Sequence, residues 1–412
     1  MKGKDMKSMV ILSTIIMIVL FCPPVFATEK TDMEILVQEN TTFAMILYQN
    51  LCKEGGNVFF SPYSISTALA MTYAGARGNT ETEMATTLRF SLGQEKLHPA
   101  FAQVESRLND VQKSGDVKLG VANSLWPHIT YNFLDDYMAL ILKNYGVSIT
   151  PVNYELASER EVARKTINGW VENKTQNKIP NLIQPGALTS LTRLVLVNAI
   201  YFKGNWASQF KPENTKDAPF HLSPEKSIQV AMMNQTEKFR HADLDFFDML
   251  ELPYVGNDLS MLILLPKTHD HLVQLETSLS LENLQLWKGK LEMKKVAISL
   301  PKFKTTCGYS LGGTLVPMGM ADAFDYRTAN FSGMDSANGL YISAVIHKAF
   351  VDVNEEGTEA TAATAVIMSL RGIPLPPTIF RVDRPFVFLI QDNQTGTILF
   401  MGRVANPTKM EE

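Results

Sequence analysis

Residues 308–312, Gly-Tyr-Ser-Leu-Gly, fit the G-x-S-x-G pattern that exposes a nucleophilic serine at a strand-to-helix turn. A strand-like run, Val-Ala-Ile-Ser-Leu-Pro-Lys-Phe, precedes them. Acyl transfer would also need an acid and then a histidine further along the chain. Only His347 follows, inside an apolar run beside Lys348, and little chain is left to bring an acid to another strand end. His347 reads instead as a hydrogen-bonded core histidine. His269-Asp270-His271 supplies donor types that hold a transition metal, yet no third ligand stands at a telling spacing. A polar turn accounts for that tripeptide. There is no H-E-x-x-H, no phosphate-binding loop and no dinucleotide fingerprint. Neither an enzyme, a metal nor a cofactor is indicated.

A second stretch raises a different question. Glu355–Pro377 reads EEGTEATAATAVIMSLRGIPLPP. Its first half has no large apolar residue to anchor it, and Thr358, Thr361 and Thr364 lower its helix propensity. Pro374, Pro376 and Pro377 bar the second half from a helix interior or a central strand. On composition alone this is an exposed loop.

The elements that would position these residues come from a chain of 412 residues, 45% hydrophobic and 19% charged, with ample material for a large core. A formal net charge of -4 argues against a general nucleic-acid binder. No linker, repeat or low-complexity block divides the chain. Residues 1–27 combine three lysines, an apolar stretch from Met9 to Phe21, and Val25 and Ala27 at secretory cleavage spacing. They read as a signal peptide, giving a secreted protein, or a periplasmic one in a Gram-negative host, with no membrane attachment after cleavage. That leaves Cys52 and Cys307, which either pair or stay separate thiols.

Early segments show helical spacing: Glu34–Leu51, a stretch capped by Ser61 before Pro62, His98–Lys113 and Tyr131–Gly146. Leu191–Phe202 is apolar on both faces and predicts a strand buried on both sides. Met249–Lys267 predicts a hairpin turning at Gly256-Asn257-Asp258, and Arg384–Pro407 another around Asn393 to Gly396. Helices first and antiparallel strands later indicate an α+β protein.

Four stretches carry a resemblance. They are NVFFSPYSISTALAMTYAGARGNTETEM, LVLVNAIYFKGNWASQF, ISAVIHKAFVDVNEEGTEATAATA and RPFVFLIQDNQTGTILFMGRVANP. Together, over essentially all of Thr28 to Thr408, the chain resembles the serpins, the serine protease inhibitors. The resemblance implies one domain over residues 28–412: about nine helices around three mainly antiparallel β-sheets, with an exposed reactive loop at about 355–380. It implies a monomeric inhibitor that traps its target serine protease as a covalent complex, when the cleaved loop inserts into the central sheet.

In a strand, Thr358, Ala360, Ala362 and Thr364 would face the core, and Glu359, Thr361, Ala363 and Ala365 would face out. The small inward set suits two environments. Glu355, Glu356, Gly357, Thr358, Glu359, Ala360, Thr361, Ala362 and Ala363 match the family's hinge. Ser61, Ser64, Asn198 and His347 match the cluster beneath the site where the sheet opens. Trp206, Lys302 and Glu355 match the loop-entry region, with a Glu355–Lys302 salt bridge. The scissile residue usually stands seventeenth from the hinge glutamate, which gives Arg371–Gly372 as the reactive bond and a trypsin-like target. Leu370, the runner-up, would direct the protein to chymotrypsin-like proteases. A non-inhibitory chaperone or binding protein is the other alternative. The helix over His98–Lys113 has Arg107 and Lys113 as its firm cations beside Glu105 and Asp110, so no polyanionic cofactor is implied.

Overall fold

The computed structural model describes residues 29–113, 117–147, 149–335, 339–358 and 376–409. Asp32–Glu412 forms one compact unit. The helices of its first half are α1 (Asp32–Leu51), α2 (Pro62–Tyr73), α3 (Gly78–Leu88), α4 (Gly93–Lys113), α5 (Asp135–Tyr145) and α6 (Ala157–Lys174). α7 (Asp270–Ser278), α8 (Leu281–Gly289) and the single turn α9 (Gly312–Leu315) follow among the strands. Ser61 caps α2, its hydroxyl accepting the Ser64 N–H, with Pro62 at the first helical position where it costs no hydrogen bond. Every residue of α2 is buried, so it runs through the core rather than along it.

Five strands build the first sheet: β2 (Val117–Pro127), β3 (Leu194–Asn205), β9 (Phe303–Ser310), β10 (Ala344–Val353) and the two-residue β11 (Gly357–Thr358). Their order is β2-β3-β11-β10-β9. β3 is buried on both faces, as its sequence predicts. Leu194, Leu196, Ile200 and Phe202 join the main core. The alternate residues Val195, Val197, Ala199 and Tyr201 pack under Ile167 and Val171 of α6.

The other strands are β1 (Val58–Phe60), β4 (Lys216–Ser223), β5 (Lys226–Asp243), β6 (Phe247–Pro253), β7 (Leu259–Pro266), β8 (Glu292–Pro301), β12 (Thr378–Arg381), β13 (Phe386–Asp392) and β14 (Ile398–Val404). They form one nine-stranded sheet, ordered β1-β14-β13-β7-β6-β5-β8-β12, with β4 paired to β5. Hydrogen bonding thus joins two of the three expected sheets. The 18-residue β5 is the reason: it pairs with β4 and β8, and its last residues, from Arg240, also pair with β6. Both expected hairpins form, β6–β7 and β13–β14. Among the described strands, β3–β10 and β8–β12 pair in parallel. Among the described residues no helix is long and apolar enough to cross a membrane.

Candidate functional site

β3 and β10 are directly paired from Val195↔Ala344 to Tyr201↔Phe350 and then fork. β11 sits in that fork. Thr358 pairs with Gly204 on one side and Val353 on the other, and Gly357 pairs with Asn205. The position needs glycine, because a Cβ on Gly357 would lie 2.1 Å from the Gly204 carbonyl oxygen. Gly204 is constrained as well, since a Cβ there would meet the Phe202 and Tyr254 rings at 2.8 and 3.0 Å.

The approach to the fork is held by backbone and side chain together. The Trp206 N–H donates to the Glu356 carbonyl (2.9 Å) and the Phe210 N–H to the Glu355 carbonyl (2.8 Å). The Trp206 indole N–H donates to the Asn354 carbonyl (3.1 Å). Asn354 folds its own amide oxygen under the turn, accepting from Glu356 and Gly357 N–H. Lys302 Nζ lies 2.8 Å from Glu355 Oε2, and Thr215 donates to Oε1 at 2.8 Å. Burial pushes the Glu355 carboxyl up, but its bonds to Lys302 and Thr215 outweigh burial and hold it below its ordinary value. Thr358 is fully buried, and its hydroxyl is 3.0 Å from Tyr254 OH. Tyr254 in turn stacks on Trp206 with ring centroids 4.7 Å apart.

Below the fork lies a buried polar cluster. His347 Nε2 accepts the Ser61 N–H at 3.1 Å, so the neutral ring keeps its proton on Nδ1 and donates it to Asn198 Oδ1. The Asn198 amide donates to Ser64 Oγ and to Asn123 Oδ1. Burial pulls the His347 pKa down to about 3, so the ring is neutral at physiological pH. Asn123 enters the cluster because β2 and β3 are in register there, Asn123 opposite Asn198.

The structure therefore brings Ser61, Ser64, Asn198 and His347 into one cluster. It brings Trp206, Lys302, Glu355, Glu356, Gly357 and Thr358 to one fork. Glu359, Ala360, Thr361, Ala362, Ala363, Leu370, Arg371 and Gly372 lie outside the described residues, as does the expected signal peptide at residues 1–27. Asn123, Thr215, Tyr254 and Asn354 were not foreseen. Asn354 alone left a local signal, a turn-forming residue before Glu355 at the end of an alternating run.

Ser310 ends β9 opposite Ile346, while His347 stands opposite Tyr309 with both ring nitrogens engaged, so no triad forms there. His269 binds the His221 carbonyl through Nε2, and α7 starts at Asp270. Cys52 is half-buried and Cys307 buried, and the two do not pair with each other.

The family model of the serpins, serine protease inhibitors, matches residues 38–407. The chain is a serpin. It is 43% identical over 385 residues to leukocyte elastase inhibitor A of Mus musculus, covering 91% of this serpin and 100% of that protein. It is also 43% identical over 383 residues to serpin B6 of Macaca fascicularis, with the same coverage. Human thyroxine-binding globulin complexed with thyroxine superposes with a TM-score of 0.84 at 32% identity, covering 92% of this serpin and all of that chain. These relatives correct two expectations. A trypsin-like target, drawn from Arg371, gives way because the similar serpins are named for leukocyte elastase. Secretion to an extracellular or periplasmic site, drawn from residues 1–27, gives way because these relatives are of the family's intracellular type. Both inferences rested on short local segments, whereas the relatives match nearly the whole chain.

Proposed function

We propose that this serpin inhibits an elastase- or chymotrypsin-like serine protease by trapping the acyl-enzyme through insertion of its loop between β3 and β10. The observation that carries the proposal is β11, whose residues already occupy the first two places of a strand in the fork. Extending its register down β3 and β10 sets Glu359 beside Lys203 and Thr364 between Asn198 and His347. Thr358 faces inward, so Ala360, Ala362 and Thr364 would follow it onto the inner face. Each is small enough to enter without overpacking.

Leu370 is the aliphatic residue that suits an elastase- or chymotrypsin-type pocket. The protease serine Oγ attacks the Leu370 carbonyl carbon. The bond to Arg371 breaks, the Arg371 amine leaves with a proton, and an ester to Leu370 remains. Insertion of about a dozen residues at ~3.3 Å each carries that ester roughly 40 Å along the sheet. A displacement of about 1 Å already costs on the order of 100-fold in rate, so water cannot release the ester in time.

Incubation with leukocyte elastase or chymotrypsin should give a complex that survives boiling in SDS, and mass spectrometry should find the released peptide beginning at Arg371. A peptide beginning at Gly372 would move the reactive bond to Arg371. Cleavage with no stable complex from either protease would overturn the inhibitory reading.

A further inference from the structure

The turn that carries β10 into β11 closes on a side chain rather than on its own backbone. Val353 and Thr358 are paired, so residues 354–357 form the turn between the two strands. Three of its carbonyl oxygens are committed to the segment that follows β3. The Asn354 oxygen accepts the Trp206 indole N–H at 3.1 Å. The Glu355 oxygen accepts the Phe210 N–H, and the Glu356 oxygen the Trp206 N–H. The fourth, on Gly357, takes the Asn354 N–H at 2.9 Å. In an ordinary four-residue turn the Gly357 N–H would close back on the Asn354 carbonyl. Here that oxygen belongs to Trp206. Asn354 Oδ1 stands in for it, accepting the Glu356 N–H at 3.1 Å and the Gly357 N–H at 3.3 Å. One asparagine thus closes the turn with its side chain and fastens it to the β3 side with its main chain.

We propose that Asn354 is a positioning residue for the trap: it fixes the register at which the loop enters between β3 and β10. The inference rests on the inhibitory reading above. The turn is anchored on both sides of the fork, covalently to Val353 of β10 and through its three carbonyl bonds to residues 206–210. As the strands part, both anchors must hold while Thr358 keeps its place between Gly204 and Val353. A residue with no side-chain acceptor leaves the Glu356 and Gly357 N–H groups short of a partner. Gly357 then recaptures the Asn354 carbonyl, and Trp206 loses it. The turn is no longer held to both strands. A slip of one residue turns the whole inward set to the opposite face. It would offer Glu359 to the fully buried place beside Tyr254 that Thr358 fills, where a carboxylate is costly. Insertion stalls, and water releases the ester first.

The test titrates wild type, Asn354→Ala and Asn354→Asp against chymotrypsin and leukocyte elastase. Gel densitometry of cleaved and complexed protein reads how many inhibitor molecules are consumed for each protease trapped. Asn354→Ala should raise that ratio about tenfold, with the rate of first attack on the loop unchanged, because two hydrogen bonds that hold the register are lost. Asn354→Asp keeps the acceptor and should stay near the wild-type ratio. Trp206→Phe frees the Asn354 carbonyl to close the turn, so adding Asn354→Ala to it should raise the ratio by no more than about twofold. A merely structural residue would lower the melting temperature of the uncleaved protein and leave the ratio unchanged. Equal ratios for Asn354→Ala and wild type, or full additivity with Trp206→Phe, overturn the proposal. Cleavage between Ile367 and Pro377 followed by calorimetry separates this inference from the inhibitory reading. If neither protease is trapped but cleaved wild type melts higher than uncleaved, the inhibitory reading falls, and a smaller rise in Asn354→Ala supports the register role. An equal rise in both, or no rise in wild type, overturns it.

Discussion

At the level of single side chains, His347 shows how a residue that could do acid–base chemistry is withdrawn from it. One ring nitrogen accepts from Ser61 and the other donates to Asn198, and the ring is fully buried. Its pKa of about 3 lies below the ordinary 6.5. Between those values the unfolded chain binds the proton and the folded chain does not. Stability is therefore complete above pH 6.5 and falls as pH drops toward 3, by about 1.4 kcal/mol per pH unit for the one proton. His98, with its pKa lowered to about 4 by burial, adds a loss of the same sign. Urea unfolding between pH 6.5 and 5 should show this slope, and His347→Gln should reduce it by one proton. An unchanged slope would mean that His347 is charged in the fold. The residue types of Ser61, Ser64, Asn198 and His347 were legible through the resemblance. Asn123 was not, because only the β2–β3 register brings it to Asn198.

At the level of elements, β11 decides how the loop can behave. Two residues hold the fork through Thr358 and Tyr254, and the glutamate before them is clamped by Lys302 and Thr215. Thr358→Arg would force a guanidinium into a fully buried place, a cost of several kcal/mol. Insertion should slow below deacylation, so that several inhibitor molecules are cleaved for each protease trapped. Thr358→Ser, which keeps the hydroxyl for Tyr254, should retain near-equimolar inhibition. Gel densitometry of cleaved and complexed species measures both, and an arginine variant that traps at wild-type stoichiometry would show that the hinge need not enter the fork.

For the whole molecule, the proposed insertion predicts that the uncleaved serpin is metastable. Opening the fork separates the β3–β10 pairs from Val195↔Ala344 to Tyr201↔Phe350, and an inserted strand replaces them with ladders on both sides. About a dozen net hydrogen bonds at ~0.5–1.5 kcal/mol each give a gain on the order of 10 kcal/mol before apolar burial. With an unfolding entropy near 2.1 cal/mol/K per residue, that gain raises the melting temperature by roughly 10 °C or more. Limited proteolysis between Ile367 and Pro377 followed by calorimetry should show the rise. An ordinary loop nick would leave the temperature unchanged or lower it.

The sequence alone marked several of the helices and strands, because burial periodicity is a local property: β3 reads as a two-faced strand from its own residues. The chain's small residues at 358–364 are what the proposed insertion rests on, since such side chains would suit an exposed or an inserted place. The tertiary structure decided what depends on register between distant strands. Gly357 and Thr358 pair with residues more than a hundred positions away, Asn123 meets Asn198, and Lys238 meets Lys295. Such pairings are set by how strands from separate parts of the chain align on a shared core. A one-residue slip would turn every one of these side chains to the opposite face, and no local pattern encodes that choice.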